Sequence, residues 1–111
     1  MISPLIHRRM GESYLIERNV TADTTVFTPA ANTDGVILRH FAMQTNNAPI
    51  VLFADTAAPT GYTDTSKRAI FSGEWDQNLH LNYDLFIPAG LGLYITSFNA
   101  RYGTIGWDNL A

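Results

Sequence analysis

The chain has 111 residues, a net charge of −3 and no cysteine. That length holds one domain with one core, and the missing thiols exclude disulfides and thiolate metal sites. Charged residues make up only 15% and lysine occurs once, at Lys67; with no basic block, the electrostatic footprint of direct nucleic-acid binding is missing.

Residues 1–13 read as an N-terminal arm and residues 14–111 as a single domain. In the arm, Ile2, Leu5, Ile6 and Met10 are apolar, interrupted by Pro4 and by Arg8-Arg9. Apolar residues ahead of the charges reverse the order of a secretory signal, so synthesis in the cytosol without export by that route is expected. The arm is either a simply packed terminus or a segment that docks on a neighbouring subunit, its arginines pairing with acidic groups there. No segment approaches the ~20 apolar residues of a membrane span.

Residues 14–21 read as a strand with Tyr14, Ile16 and Val20 on one face, and 24–28 as a short β-branched strand. Asn32-Thr33-Asp34-Gly35 is a turn, because Asn and Asp bond their own backbone and Gly accepts positive φ. Residues 36–45 form a long strand with Ile37, Arg39, Phe41 and Met43 on one side and Val36, Leu38 and Ala42 on the other. A strand apolar on both sides is covered on both sides, once by the core and once by a partner. This makes Arg39 and Phe41 candidate contacts; the alternative is an Arg39 stem lying over aliphatic neighbours at the sheet rim. The continuous run Ile50-Val51-Leu52-Phe53-Ala54 predicts a strand buried on both faces. A loop over 55–66, a short strand over 68–72 and a turn over 73–77 follow.

Residues 78–87 carry the clearest signal: Leu79, Leu81, Tyr83, Leu85 and Ile87 alternate with His80, Asn82, Asp84 and Phe86. Only a strand puts all five of the first set on one side. Burying them contributes ~8–15 kcal/mol at about 1.5–3 each, and ordering the backbone of such a strand costs about as much. A second apolar layer must therefore face it. After the corner Pro88-Ala89-Gly90, strands over 91–99 and 104–107 close the chain. No helical period and no internal repeat is found, so the expected fold is all-β: a single two-sheet β-sandwich, with a jelly roll preferred over an immunoglobulin-like order.

The residues show no chemistry. His7, His40 and His80 lack metal-ligand spacing, no nucleophile sits on a Gly-x-Ser-x-Gly turn, and Glu74 and Asp76 flank Trp75 in what reads as a polar turn. No enzymatic activity, catalytic residue, metal ligand or cofactor is expected. Tyr62, Trp75, Tyr102 and Trp107 lie in or near turns, where an aromatic ring can anchor a partner or stack on a ligand.

The stretch Phe86-Ile87-Pro88-Ala89-Gly90-Leu91-Gly92-Leu93-Tyr94-Ile95 resembles a strand–corner–strand hairpin of small jelly-roll proteins in tailed-phage virions. With its size, its Thr and Asn richness, its single lysine and its lack of cysteine, the whole chain is similar to the capsid decoration, or staple, proteins of short-tailed double-stranded DNA bacteriophages. The resemblance implies a non-enzymatic virion protein on the capsid exterior, bound to the major capsid protein, bridging neighbouring subunits and forming a homodimer. It transfers no catalytic residue. The contacts expected from the residues themselves are Ile2, Leu5, Ile6, Arg8, Arg9, Arg39 and Phe41. The alternative is a carbohydrate-binding module or receptor-binding tip of a tail or fibre protein, using Trp75 and Trp107.

Overall fold

The computed structural model describes residues 11–20, 24–45, 49–73, 78–80, 83–97 and 100–110, and the side chains among them except at 16–20, 45, 78–80 and 100–102. Among the described residues nine strands run in chain order: β1 (Ser13–Val20), β2 (Thr24–Phe27), β3 (Val36–Thr45), β4 (Ile50–Asp55), β5 (Ala69–Gly73), β6 (Asn78–His80), β7 (Leu85–Ile87), β8 (Gly92–Ser97) and β9 (Ala100–Asn109). A 3₁₀ turn, Pro29–Ala31, lies between β2 and β3, started by the Thr28 hydroxyl accepting from the Ala31 amide.

The strands form two antiparallel sheets that pack as a β-sandwich. One has the order β1-β9-β3-β6, with β7 also paired to β3; the other has the order β2-β8-β4-β5. The pairs β1 with β9, β2 with β8, β3 with β6 and β7, and β4 with β5 are nested. The chain is thus one long hairpin folded at β4–β5 and wound up, so that β9 also meets β3 and β8 also meets β4. This winding is a jelly roll. An immunoglobulin order keeps its first two strands in one sheet, whereas here β1 and β2 lie in different sheets.

Between the sheets lie Val36, Leu38, Phe41 and Met43 of β3 and Ile105 and Trp107 of β9, facing Ile50, Leu52, Leu93 and Ile95 of β4 and β8. Two aromatic pairs tie the layers together: Phe27 with Trp107 at 5.6 Å and Phe41 with Phe71 at 5.3 Å between ring centroids. The corner after β7 is clasped by Asn32, whose buried amide donates to the Pro88 and Leu91 carbonyls at 2.8 and 2.9 Å while its Oδ1 accepts from the Gly35 amide at 2.9 Å. Gly35 and Gly90 take φ of 101° and 88°, the left-handed turns expected of both segments.

Three sequence expectations need correction. The strand expected over 78–87 is two strands: between β6 and β7, His80 to Leu85 advances five positions while the matching Leu38 to Ala42 on β3 advances four. The extra residue falls at the β6–β7 junction, where Tyr83 is exposed instead of sharing the apolar side, while Leu85 and Ile87 keep that side. On β3, the pairing steps from Leu38–Trp107 to His40–Gly106, a β-bulge. It turns both Arg39 and His40 outward, so Val36, Leu38, Phe41 and Met43 all face the core and Phe41 does not share a side with Arg39. The last strand, expected over 104–107, spans Ala100–Asn109 and lies centrally. The face of Tyr14 on β1, which the sequence leaves unassigned, is the outer one, with Leu15 opposite Ile105 packed on the core. The expected strand at Ile50 is found and is buried along most of its length.

Candidate functional site

The two sheets differ on their outer faces. Strand alternation puts Phe53 and Tyr94 on the side of the four-stranded sheet that faces away from the core cluster, yet both are buried. Burial, with the charge of Asp55 as a lesser cause, raises the Tyr94 hydroxyl above its ordinary pKa. On the outer face of the five-stranded sheet Tyr14 is 69% and Phe86 56% exposed, while Gly106 and Asp108 nearer its middle are buried. Tyr83, at the β6–β7 junction, is also exposed. Tyr14, Gly106 and His40 lie in register across β1, β9 and β3. Phe86, Ile37 and Asp108 form a second row across β7, β3 and β9. The Phe86 ring leans over the end of β3, where a Cβ on Gly35 would meet it at 2.8 Å.

Polar groups hold this face in shape. Arg39 Nε donates to Asp108 Oδ2 at 2.8 Å, and its Nη1 donates to Asp84 Oδ2 at 2.6 Å. The Asp108 bond, then the Asp84 bond, raise the guanidinium pKa further above its ordinary value. Asp108 Oδ1 also accepts the Glu12 amide at 2.8 Å, and His40 Nε2 bonds Thr104 Oγ1 at 3.0 Å. One carboxylate–guanidinium cluster thus joins the entry to β1, strands β9 and β3, and the β6–β7 junction.

The expected contact residues divide sharply. Arg39 is on the face, engaged by Asp84 and Asp108. Phe41 is fully buried between the sheets and offers nothing to a partner, because the bulge turned it inward. Trp107 is likewise not a turn residue but a core residue against Phe27, with only 9% exposed. Tyr62 is exposed on the loop between β4 and β5. Trp75 and the arm residues Ile2, Leu5, Ile6, Arg8 and Arg9 lie outside the described residues, and of Tyr102 only the backbone, in β9, is described. Tyr14 and Phe86 are the residues that sequence reasoning missed. Phe86 had left a signal, an aromatic in the polar phase of an alternating segment.

The loop that carries Tyr62 is built on two carboxylates. Asp64 accepts from the Ser66 hydroxyl at 2.6 Å and from the Thr60 and Ser66 amides, which lowers its pKa to about 2. Asp55 accepts from the Arg68 and Thr56 amides and is also lowered. These bonds shape a turn. Among the described residues no group of three or more His, Cys, Asp or Glu side chains could hold a metal ion, and no helix is long and apolar enough to cross a membrane. Compared with known proteins, the chain has no significant match to a family model, a curated protein or a solved structure.

Proposed function

We propose that the chain is a non-enzymatic structural protein of a phage virion that binds the outside of an assembled capsid and bridges neighbouring subunits through the outer face of the five-stranded sheet. The observation that carries this reading is the contrast between the two outer faces: Phe53 and Tyr94 are buried on one, while Tyr14 and Phe86 are each more than half exposed on the other. Tyrosine and phenylalanine are enriched in protein contacts and act as anchors there. A shell under internal DNA pressure fails at the seams between subunits, and a rigid sandwich laid across a seam adds interface without chemistry. Many copies on one shell add avidity to modest single contacts.

The test is co-sedimentation of the purified chain with assembled heads of short-tailed double-stranded DNA phages, with a glycan array as the contrasting arm. Tyr14→Ala with Phe86→Ala is expected to weaken head binding by about tenfold or more, since aromatic anchors are each worth more than about 1 kcal/mol. Binding to glycans and not to heads would replace this reading with the carbohydrate one, which has lost Trp107 to the core.

A further inference from the structure

Among the aspartates and asparagines of this chain, only Asp34 is followed by glycine. A residue without a side chain does not shield its own amide nitrogen, so this pair is where an open chain rearranges most readily. A base takes the proton of the Gly35 amide, and the nitrogen bonds to Cγ of the Asp34 carboxylic acid. The carboxyl hydroxyl takes that proton back and departs as water. Water then opens the resulting imide ring at either carbonyl. One opening restores aspartate; the other gives isoaspartate, with the main chain rerouted through the side-chain methylene and the α-carboxylate left free. The water lost is the water regained, and no oxidant or co-reactant is needed.

The fold obstructs the first step. Asp34 itself is exposed, its carboxylate accepting from Thr33 Oγ1 at 3.3 Å. Gly35 is buried, and its amide donates to Asn32 Oδ1 at 2.9 Å. An N–H engaged in this way keeps its proton, and its nitrogen is not free to turn toward Cγ. The acceptor is fixed as well. Asn32 Nδ2 donates to the Pro88 and Leu91 carbonyls, the Asn32 amide donates to the Pro29 carbonyl at 3.2 Å, and the Asn32 carbonyl accepts from the Gly90 amide at 2.9 Å. On its far side the Gly35 carbonyl accepts from the Leu110 amide at 2.9 Å. The Phe86 ring closes the remaining approach, lying 2.8 Å from where a Cβ on Gly35 would stand.

We propose that Asp34-Gly35 is a latent isoaspartate site that Asn32 holds shut, so that rearrangement proceeds only through molecules whose corner ahead of β3 has opened. Such openings are local and need not unfold the sandwich. The product marks them permanently: isoaspartate lengthens the main chain by one atom just ahead of Gly35, displacing its amide from Asn32 Oδ1 and its backbone from under Phe86. The inference stands apart from the capsid reading, whose binding face it reaches only through Phe86.

The test follows isoaspartate at position 34 over time, by peptide mapping and by enzymatic methylation of isoaspartyl carboxylates, in the folded chain and in the chain unfolded in urea at the same neutral pH and temperature. Rearrangement is expected to be slower in the folded chain by about tenfold or more, the factor that one buried hydrogen bond supplies. Asn32→Ala, kept where circular dichroism shows it folded, should regain about tenfold. Phe41→Ala, in the core between the sheets and kept folded in the same way, should rearrange at the rate of the unaltered protein. Equal rates in buffer and in urea, no acceleration by Asn32→Ala, or the same acceleration by Phe41→Ala would each overturn the lock. Should Asn32→Ala not fold, hydrogen exchange in the unaltered protein decides: a protected Gly35 amide is expected, and one that exchanges as in the unfolded chain would overturn it.

Discussion

Replacing Phe41 and Phe86 separately by alanine measures the bulge in β3. Phe41 is fully buried and packs edge-on against Phe71 across the sheets. Its truncation leaves a cavity in a close-packed layer, a loss of about 3–5 kcal/mol. For 111 residues the unfolding entropy is about 0.23 kcal/mol/K, from about 2.1 cal/mol/K per residue. The loss then lowers Tm by about 13–21 °C. Phe86 is 56% exposed and rests mainly on Gly35, so Phe86→Ala should cost no more than about 1 kcal/mol, or about 4 °C. Thermal unfolding followed by far-ultraviolet circular dichroism reads both. Without the bulge, Phe41 would share the side of Arg39 and the two substitutions would cost about the same. Equal Tm losses would refute the reasoning, whichever their size.

Asn32→Ala should cost about 2–4 kcal/mol in urea unfolding, since it strips partners from the Gly35 amide and two carbonyls of the corner. Asn32→Asp should cost at least as much at neutral pH, because a carboxylate cannot donate to those carbonyls; stability equal to the unaltered protein would discredit the clasp. Gly92→Ala places a methyl 2.8 Å from Pro29 Cδ and 2.9 Å from the Phe27 carbonyl oxygen, an overpacking worth about 1–3 kcal/mol. Gly61→Ala meets nothing within 4 Å and should shift stability by less than about 0.5 kcal/mol. Asp64 should titrate near 2 instead of its ordinary 3.8. Its pKa is depressed by folding, so its contribution is complete above the ordinary value and is lost as pH falls through the folded one. Carboxyl chemical shifts, with the Thr60 and Ser66 amides as reporters, follow that loss between about pH 4 and pH 2; a midpoint near 3.8 would show the turn to be open.

The legible parts of the fold are those where one local rule decides. Ile50 to Ala54 is too short and too β-rich for a helix, and Asp34-Gly35 and Ala89-Gly90 mark left-handed corners that the chain adopts. What alternation does not show is a change of phase. No Gly or Pro marks the bulge between Leu38 and His40, and the apolar period from Leu79 to Ile87 runs unbroken through the point where the pairing gains a residue. The slip in β3 moves Phe41 and Met43 to the opposite face, whereas in the 78–87 segment Tyr83 is displaced at the junction and Leu85 and Ile87 keep the expected side. Trp107 was misplaced for another reason: glycines at 103 and 106 look like a loop. In β9, Gly103 instead lets Met43 and the Ala42 carbonyl come close, and Gly106 lies under the Gly11 amide.

These irregularities fall at one place and act together. The bulge in β3 and the break between β6 and β7 lie on opposite sides of Arg39, which bonds Asp108 across one and Asp84 across the other. A sheet interrupted on both sides of its long strand would ordinarily be free to flex there, since ladder bonds are missing. The guanidinium replaces them with charge-assisted bonds, the stronger kind, and Asp108 extends the cluster to the backbone where the chain enters β1. A face held this way binds with less loss of conformational freedom than a loop surface, so more of its contact energy remains as affinity. Under the proposed function Arg39 is a positioning residue: it holds in register the rows that carry Tyr14 and Phe86.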